Sequence, residues 1–293
     1  MSYRHVWKRD LLSSYRSRLV PVVALLLLLA TAGIILGMYA LDNHGPPPDQ
    51  RTAVFAIGAV GHALIPLVGL LGSYSALAGE RESGSVRFLM GLPNSRLDAF
   101  LGKFASRMTS VGAPLALGLL VCTAAVGALF QNGSYVEMLG LTAVTLLYAL
   151  LFVGLGLALS AVASTSTRAV VGSVGLFALF RGGWPALQAV LLEVTDAERY
   201  PFAPDWYYWI GRINPLNAYV KLTTEYADFG TGSHPLLTRA VETDYNPATE
   251  EVVVESTVQS FAVTSEFAAI VLLAWTVIVP LGALAVWRRR DLL

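Results

Sequence analysis

Charge is what this sequence has least of. Only 14% of its 293 residues are Asp, Glu, Lys or Arg, against 55% apolar, well below the quarter-charged composition of soluble globular chains. That balance excludes an ordinary soluble domain and marks a membrane protein. The 20 basic and 20 acidic residues cancel, so no overall basic field argues for nucleic acid as a partner. Cysteine is almost absent too. Cys122 stands alone in an apolar run, so no intrachain disulfide can close, and no Cys/His spacing suggests a metal site.

Several chemical motifs are missing. No G-x-x-x-x-G-K-[ST] occurs: the Gly102-Lys103 pair is followed by Phe104 and lacks the upstream glycine, so the chain has no phosphate loop for a nucleotide. No HExxH, nucleophile elbow or paired intramembrane carboxylates support a hydrolase. An ion-coupled carrier needs ionisable groups inside its spans, where only His62 and Arg181 qualify. His62, one turn from Pro66, reads first as a neutral packing histidine. Arg181 is costlier to bury; it either lines a polar path or reaches an outer interface.

What the sequence does have is long apolar runs. Six reach the length of a bilayer-crossing helix: Leu19 to Leu41, Ala53 to Ala78, Met108 to Phe130, Leu139 to Ala163, Ala169 to Leu192 and Phe267 to Trp287. The fifth is interrupted by Arg181, Gly182, Gly183 and Pro185. The expected fold is therefore an all-α polytopic membrane protein, one domain over residues 1–293. Its orientation follows from the basic residues, which are held on the cytoplasmic side. Arg4, Lys8, Arg9, Arg16 and Arg18 precede the first span, Arg81, Arg87, Arg96, Lys103 and Arg107 fall between spans two and three, Arg168 follows span four, and Arg288, Arg289 and Arg290 close the chain. Both termini are thus expected in the cytoplasm.

Tyr3, Trp7, Leu11 and Tyr15 recur every fourth residue, which predicts an N-terminal helix lying in the interface; the same basic stretch also reads as a topology anchor. Residues 193–265 form a long outer segment with twelve Asp or Glu up to Glu266. Its first part, PFAPDWYYWIGRINPLNAYVKL, carries Trp206, Tyr207, Tyr208 and Trp209 and is expected to return to the membrane surface. Farther on, EVVVESTVQ reads equally as a strand or as the lead into the last helix.

Against this apolar background stands GERESGSVRFLMGLPNSRLDAFLGK, residues 79–103, with seven charges in 25 positions. A helix over this stretch would hold Glu80 and Glu82 in its early turns, favoured by the dipole. Ser95 would cap a second helix leading into span three. The stretch is either a solvated connector or a docking surface for another protein.

These residues resemble the E-x-E-x-G-[ST]-hydrophobic stretch, followed by P-x-S-R and G-K, between the second and third spans of ABC-2 type exporter permeases. The basic N-terminus, INPLNAYV after span five and the final RRRDL are similar to the same family. Among its members the chain looks most like the six-span permeases of multicopper or nitrous-oxide-reductase maturation. The resemblance implies a transport subunit that is not itself an enzyme, that docks a separate ABC ATPase binding the ATP and Mg, and that pairs as a homodimer in the bilayer. It implies a coupling helix over Glu80, Arg81, Glu82, Ser83, Gly84, Ser85, Val86, Arg87, Phe88 and Leu89. Pro93, Ser95, Arg96, Gly102 and Lys103 would complete the hairpin. His62 and Arg181 stand as candidates for a transport path. Two other classes stay open: a membrane scaffold holding an extracytoplasmic partner, and an ion-coupled carrier.

Overall fold

Lipid offers a backbone amide no partner outside its own chain, and the apolar runs fold as helices. The computed structural model of the chain describes residues 3–16, 29–30, 32–33, 35–37, 39–40, 47–85, 95–198, 203–226, 241–246, 251–257 and 260–289. The helices are α1 (Tyr3–Arg16), α2 (Gln50–Ser73), α3 (Ser75–Glu82), α4 (Arg96–Leu129), α5 (Tyr135–Val162), α6 (Ser166–Ala178), α7 (Trp184–Val194), α8 (Asp205–Ile213), α9 (Pro215–Thr223) and α10 (Ser265–Arg289). A π turn, Leu179–Gly183, joins α6 to α7 without ending the span. Among the described residues five stretches are long and apolar enough to cross a bilayer: Gln50–Glu82, Arg96–Leu129, Tyr135–Val162, Ser166–Val194 and Ser265–Arg289. They match the second to sixth expected spans. The first lies mostly outside the described residues, and its described parts are helical.

Helix α5 is the axis of the bundle, and small residues let α2 approach it closely. A Cβ on Gly69 would sit 2.7 Å from Phe152 Cβ, and one on Gly156 would sit 2.7 Å from Leu70 O. Around this contact Tyr148, Phe152, Phe180 and Tyr219 are buried; Tyr148 stacks on Tyr219 at 4.0 Å and meets Phe152 edge-on at 5.0 Å.

The second half of the aromatic outer segment departs from the surface-lying expectation. The segment folds as α8 and α9, broken at Asn214, which caps α9 by accepting from Leu216 N–H at 3.0 Å. Helix α9 enters the bundle instead of lying on it: Tyr219 is fully buried and shares a 3.1 Å hydrogen bond with Thr145. Arg212 fastens the pair, donating to Ala262 O at 2.9 Å and Asn217 O at 3.1 Å. With its donors so used, the guanidinium is 1% exposed, and burial lowers its pKa to about 10. The ambiguous EVVVESTVQ stretch resolves as a strand: Glu251–Thr257 (β2) pairs antiparallel with Val241–Asn246 (β1). This hairpin is an addition to the otherwise helical fold.

Candidate coupling site

The charged stretch begins as the end of span two. Helix α2 breaks at Tyr74 and α3 resumes at Ser75. Ser160 of α5 holds the break, its Oγ accepting from the N–H groups of Leu77 and Ala78 at 2.9 Å each. Glu80, Arg81 and Glu82 therefore occupy the last turn of a helix and not the early turns of a new one. There the macrodipole disfavours acids, and each finds a compensating partner. Glu80 takes Lys103 Nζ at 2.9 Å and Arg9 Nη2 at 3.4 Å. Glu82 Oε2 accepts from Ser166 N–H at 2.9 Å, at the favourable N-terminus of α6.

Arg81 turns inward. It donates to Ser160 O and, at 3.0 Å, to Ala161 O, neutralising the carbonyl end of α5, and its guanidinium lies 5.7 Å from the Trp287 ring centre. Ser83 closes α3, and Gly84 follows with φ +71°, the left-handed conformation that a helix-ending glycine adopts without a Cβ penalty. The Ser83 and Ser85 hydroxyls both donate to Glu80 O, at 3.3 and 3.4 Å. Val86, Arg87, Phe88, Leu89 and Pro93 lie outside the described residues.

The return arm starts at Ser95, which caps α4 as expected. Its Oγ accepts from Asp98 N–H at 3.0 Å while Asp98 Oδ2 accepts from Ser95 N–H at 3.2 Å, a reciprocal capping box. Arg96 donates to Arg288 O at 3.0 Å, and Trp287 Nε1 donates to Arg96 O at 3.1 Å, so the last span is tied to this arm.

Gly102 and Lys103 seat the N-terminal helix. A Cβ on Gly102 would fall 2.6 Å from Val6 Cβ, so only glycine lets α1 lie this close to α4. Lys103, 2% exposed, bridges Glu80 and Asp10, the latter at 3.0 Å. Arg107 adds a 3.4 Å contact to Asp10, and Trp7 Nε1 donates to Thr109 at 3.2 Å. Burial pushes Asp10 up, but Lys103 and Arg107 outweigh it and hold its carboxyl below the usual range. The inward side of α1 is accordingly Val6 and Asp10, while Tyr3 of the aromatic stripe is exposed. Asp10, Asp98, Ser160, Ser166 and Trp287 were invisible to motif reading, although Asp10 had one signal as a lone acid in a basic stretch.

The structure thus brings Glu80, Lys103 and the basic N-terminal helix into one buried charge cluster, with Glu82, Arg81 and Arg96 each tied to a different span. His62 and Arg181 meet each other elsewhere: Arg181 Nη1 lies 2.7 Å from His62 Nδ1. Arg181 reaches across to span two.

The sequence profile described as ABC-2 family transporter protein matches residues 5–292. The chain is 28% identical over 225 residues to a "Probable ABC transporter permease protein NosY" of Pseudomonas aeruginosa, covering 73% of this chain and 79% of that protein. It is 27% identical over 227 residues to a protein of the same name from Stutzerimonas stutzeri, with the same coverage. This chain, a multi-pass membrane protein, therefore belongs to the ABC-2 family of transporter proteins as a transmembrane permease.

Proposed function

We propose that this permease moves its substrate outward with energy supplied by a separate ATP-hydrolysing subunit, which binds the ATP and Mg and seats on residues 80–89. What carries this reading is the charge cluster. A segment that receives a mechanical stroke must be rigidly joined to the spans that move, and Glu80, Arg81 and Glu82 tie this one to α1, α4, α5 and α6. A solvated connector needs no such ties. The missing phosphate loop supports a motor on another chain. The termini and residues 79–103 face the cytoplasm on this reading, and residues 193–265 face outward.

Two permeases form the working unit, meeting through span five, of which only a small share is buried within one chain. The small residues on its open side include Gly175, Ala178 and Gly182; Ser173 faces inward, 1% exposed, and donates to Ala169 O. Small residues let helices approach closely in lipid.

One set of single cysteines, in a Cys122→Ala background, tests both statements. Glu198→Cys should react with an impermeant thiol reagent in intact cells, while exposed Ser83→Cys reacts only after permeabilisation. Gly175→Cys should crosslink to a dimer and Ser173→Cys should not. Labelling of Ser83→Cys alone in intact cells would invert the topology, and equal crosslinking at both positions would remove span five from the interface. Co-purification tests the energy source: the wild-type chain should bring down an ATP-hydrolysing protein.

A further inference from the structure

Arg181 is a cation near the middle of an apolar span, on its exposed face, and no acid among the described residues neutralises it. Counting along the helices, His62 lies about 18 Å below the start of α2, and Arg181 about 20 Å below the end of α7, so the pair sits near mid-membrane and not at headgroup level. Arginine can only donate. The 2.7 Å approach of Arg181 Nη1 to His62 Nδ1 therefore makes that nitrogen the acceptor, with His62 neutral and the positive charge left on Arg181. No carboxylate among the described residues forms an ion pair with Arg181. Its nearest acid along the span, Glu193, lies twelve residues away.

The backbone is arranged to present this charge. Arg181 occupies the π turn, a local distortion that recurs at functional sites. Asn214 steadies that turn, donating to Phe180 O at 2.8 Å. Gly182 beside it has open space where a side chain would be, and Arg181 itself is exposed on the little-buried face of span five. One polar group of the same bundle is left unsatisfied. The Tyr148 hydroxyl is fully buried and unpartnered, and Tyr148 stacks on Tyr219, whose hydroxyl lies against Gly61 next to His62. A buried hydroxyl left without a partner is costly.

We infer that Arg181, oriented by His62, forms an oxyanion-binding site at mid-membrane, recognising a sulfate-, phosphate- or carboxylate-type group on the molecule that passes along span five. An unneutralised guanidinium at this depth is expensive, and a planar donor fork facing open space matches an oxyanion with paired hydrogen bonds. The inference rests on the transport reading above. The oxyanion belongs either to a polar cargo or to a lipid phosphate; the depth favours cargo.

The test uses the permease with its co-purified ATP-hydrolysing subunit in phosphatidylcholine nanodiscs, probed with radiolabelled sulfate. Wild type should bind sulfate saturably, with competition by inorganic phosphate. Arg181→Gln should weaken binding about tenfold or more, and Arg181→Lys, which keeps the charge, by about threefold. In parallel discs containing phosphatidylglycerol, retention of that lipid lost in Arg181→Gln, with no sulfate binding, would support the site and assign its oxyanion to lipid. Neither ligand depending on Arg181 would overturn the site, as would Arg181→Gln separating the two permeases with sulfate binding unchanged. Sulfate binding by a wild-type chain that carries no ATP-hydrolysing subunit would uphold the site and remove the proposed energy source instead.

Discussion

Lys103→Met should detach the N-terminal helix and destabilise the permease by about 3–5 kcal/mol, the cost of removing one partner from a buried ion pair. Lys103 bridges Asp10 and Glu80 at 3.0 and 2.9 Å, and the three side chains are 2%, 11% and 17% exposed. Methionine fills the space but leaves Glu80 with only the long, exposed contact to Arg9. The Lys103→Met/Glu80→Met double variant should recover most of the loss, because it removes the orphaned acid and leaves Asp10 paired with Arg107. Thermal unfolding in detergent and protease access to residues 3–16 read this order. If Lys103 were only a topology-setting surface charge, its replacement would fall within about 0.5 kcal/mol, as most surface changes do, and the double variant would rescue nothing.

Gly84 should be the position where a small change costs most coupling. The structure alters what each variant there means. With φ at +71°, Gly84→Leu strains the backbone by about 1–2 kcal/mol whatever touches it, so leucine's helix propensity is irrelevant. Gly84→Asn keeps the left-handed conformation at little cost, and among the described residues no atom beyond its chain neighbours lies within 4 Å of the added Cβ. Both variants should insert in the membrane, and both should lose the ATP-hydrolysing subunit about tenfold or more in pull-downs, because a docked partner occupies the space the new side chain needs. A segment without a partner would leave Gly84→Asn indistinguishable from wild type. Glu82→Ala is a poorer probe of docking, since it also strips the Ser166 N–H of its acceptor.

The second to sixth spans, the Ser95 cap and the polar stretch between spans two and three were legible because each is written locally, in hydropathy or in residues three apart. The direction of the acids in α3 was not legible. It depends on the break at Tyr74, which Ser160 holds from 83 and 82 residues away. Lys103 was chosen from a motif, but its role emerged only with Asp10, 93 residues distant. Arg181 and His62 were each flagged alone as charges out of place in apolar runs; their pairing across 119 residues belongs to the packing of span five on span two. The burial of α9 was not legible for a related reason. Tyr and Trp suit a headgroup level, and nothing local reveals that Thr145 offers Tyr219 a partner inside the bundle.

ATP turnover by the affinity-purified chain in lipid vesicles, with and without the protein it captures, decides whether this permease is driven from the segment at residues 80–89. Wild type should bring down a protein bearing a phosphate-binding loop, and the pair should hydrolyse ATP. The permease washed free of that protein should show no turnover, and Gly84→Asn should capture at least about ten times less of it. Sustained ATP hydrolysis by the bare chain, or equal capture by wild type and Gly84→Asn, would contradict that.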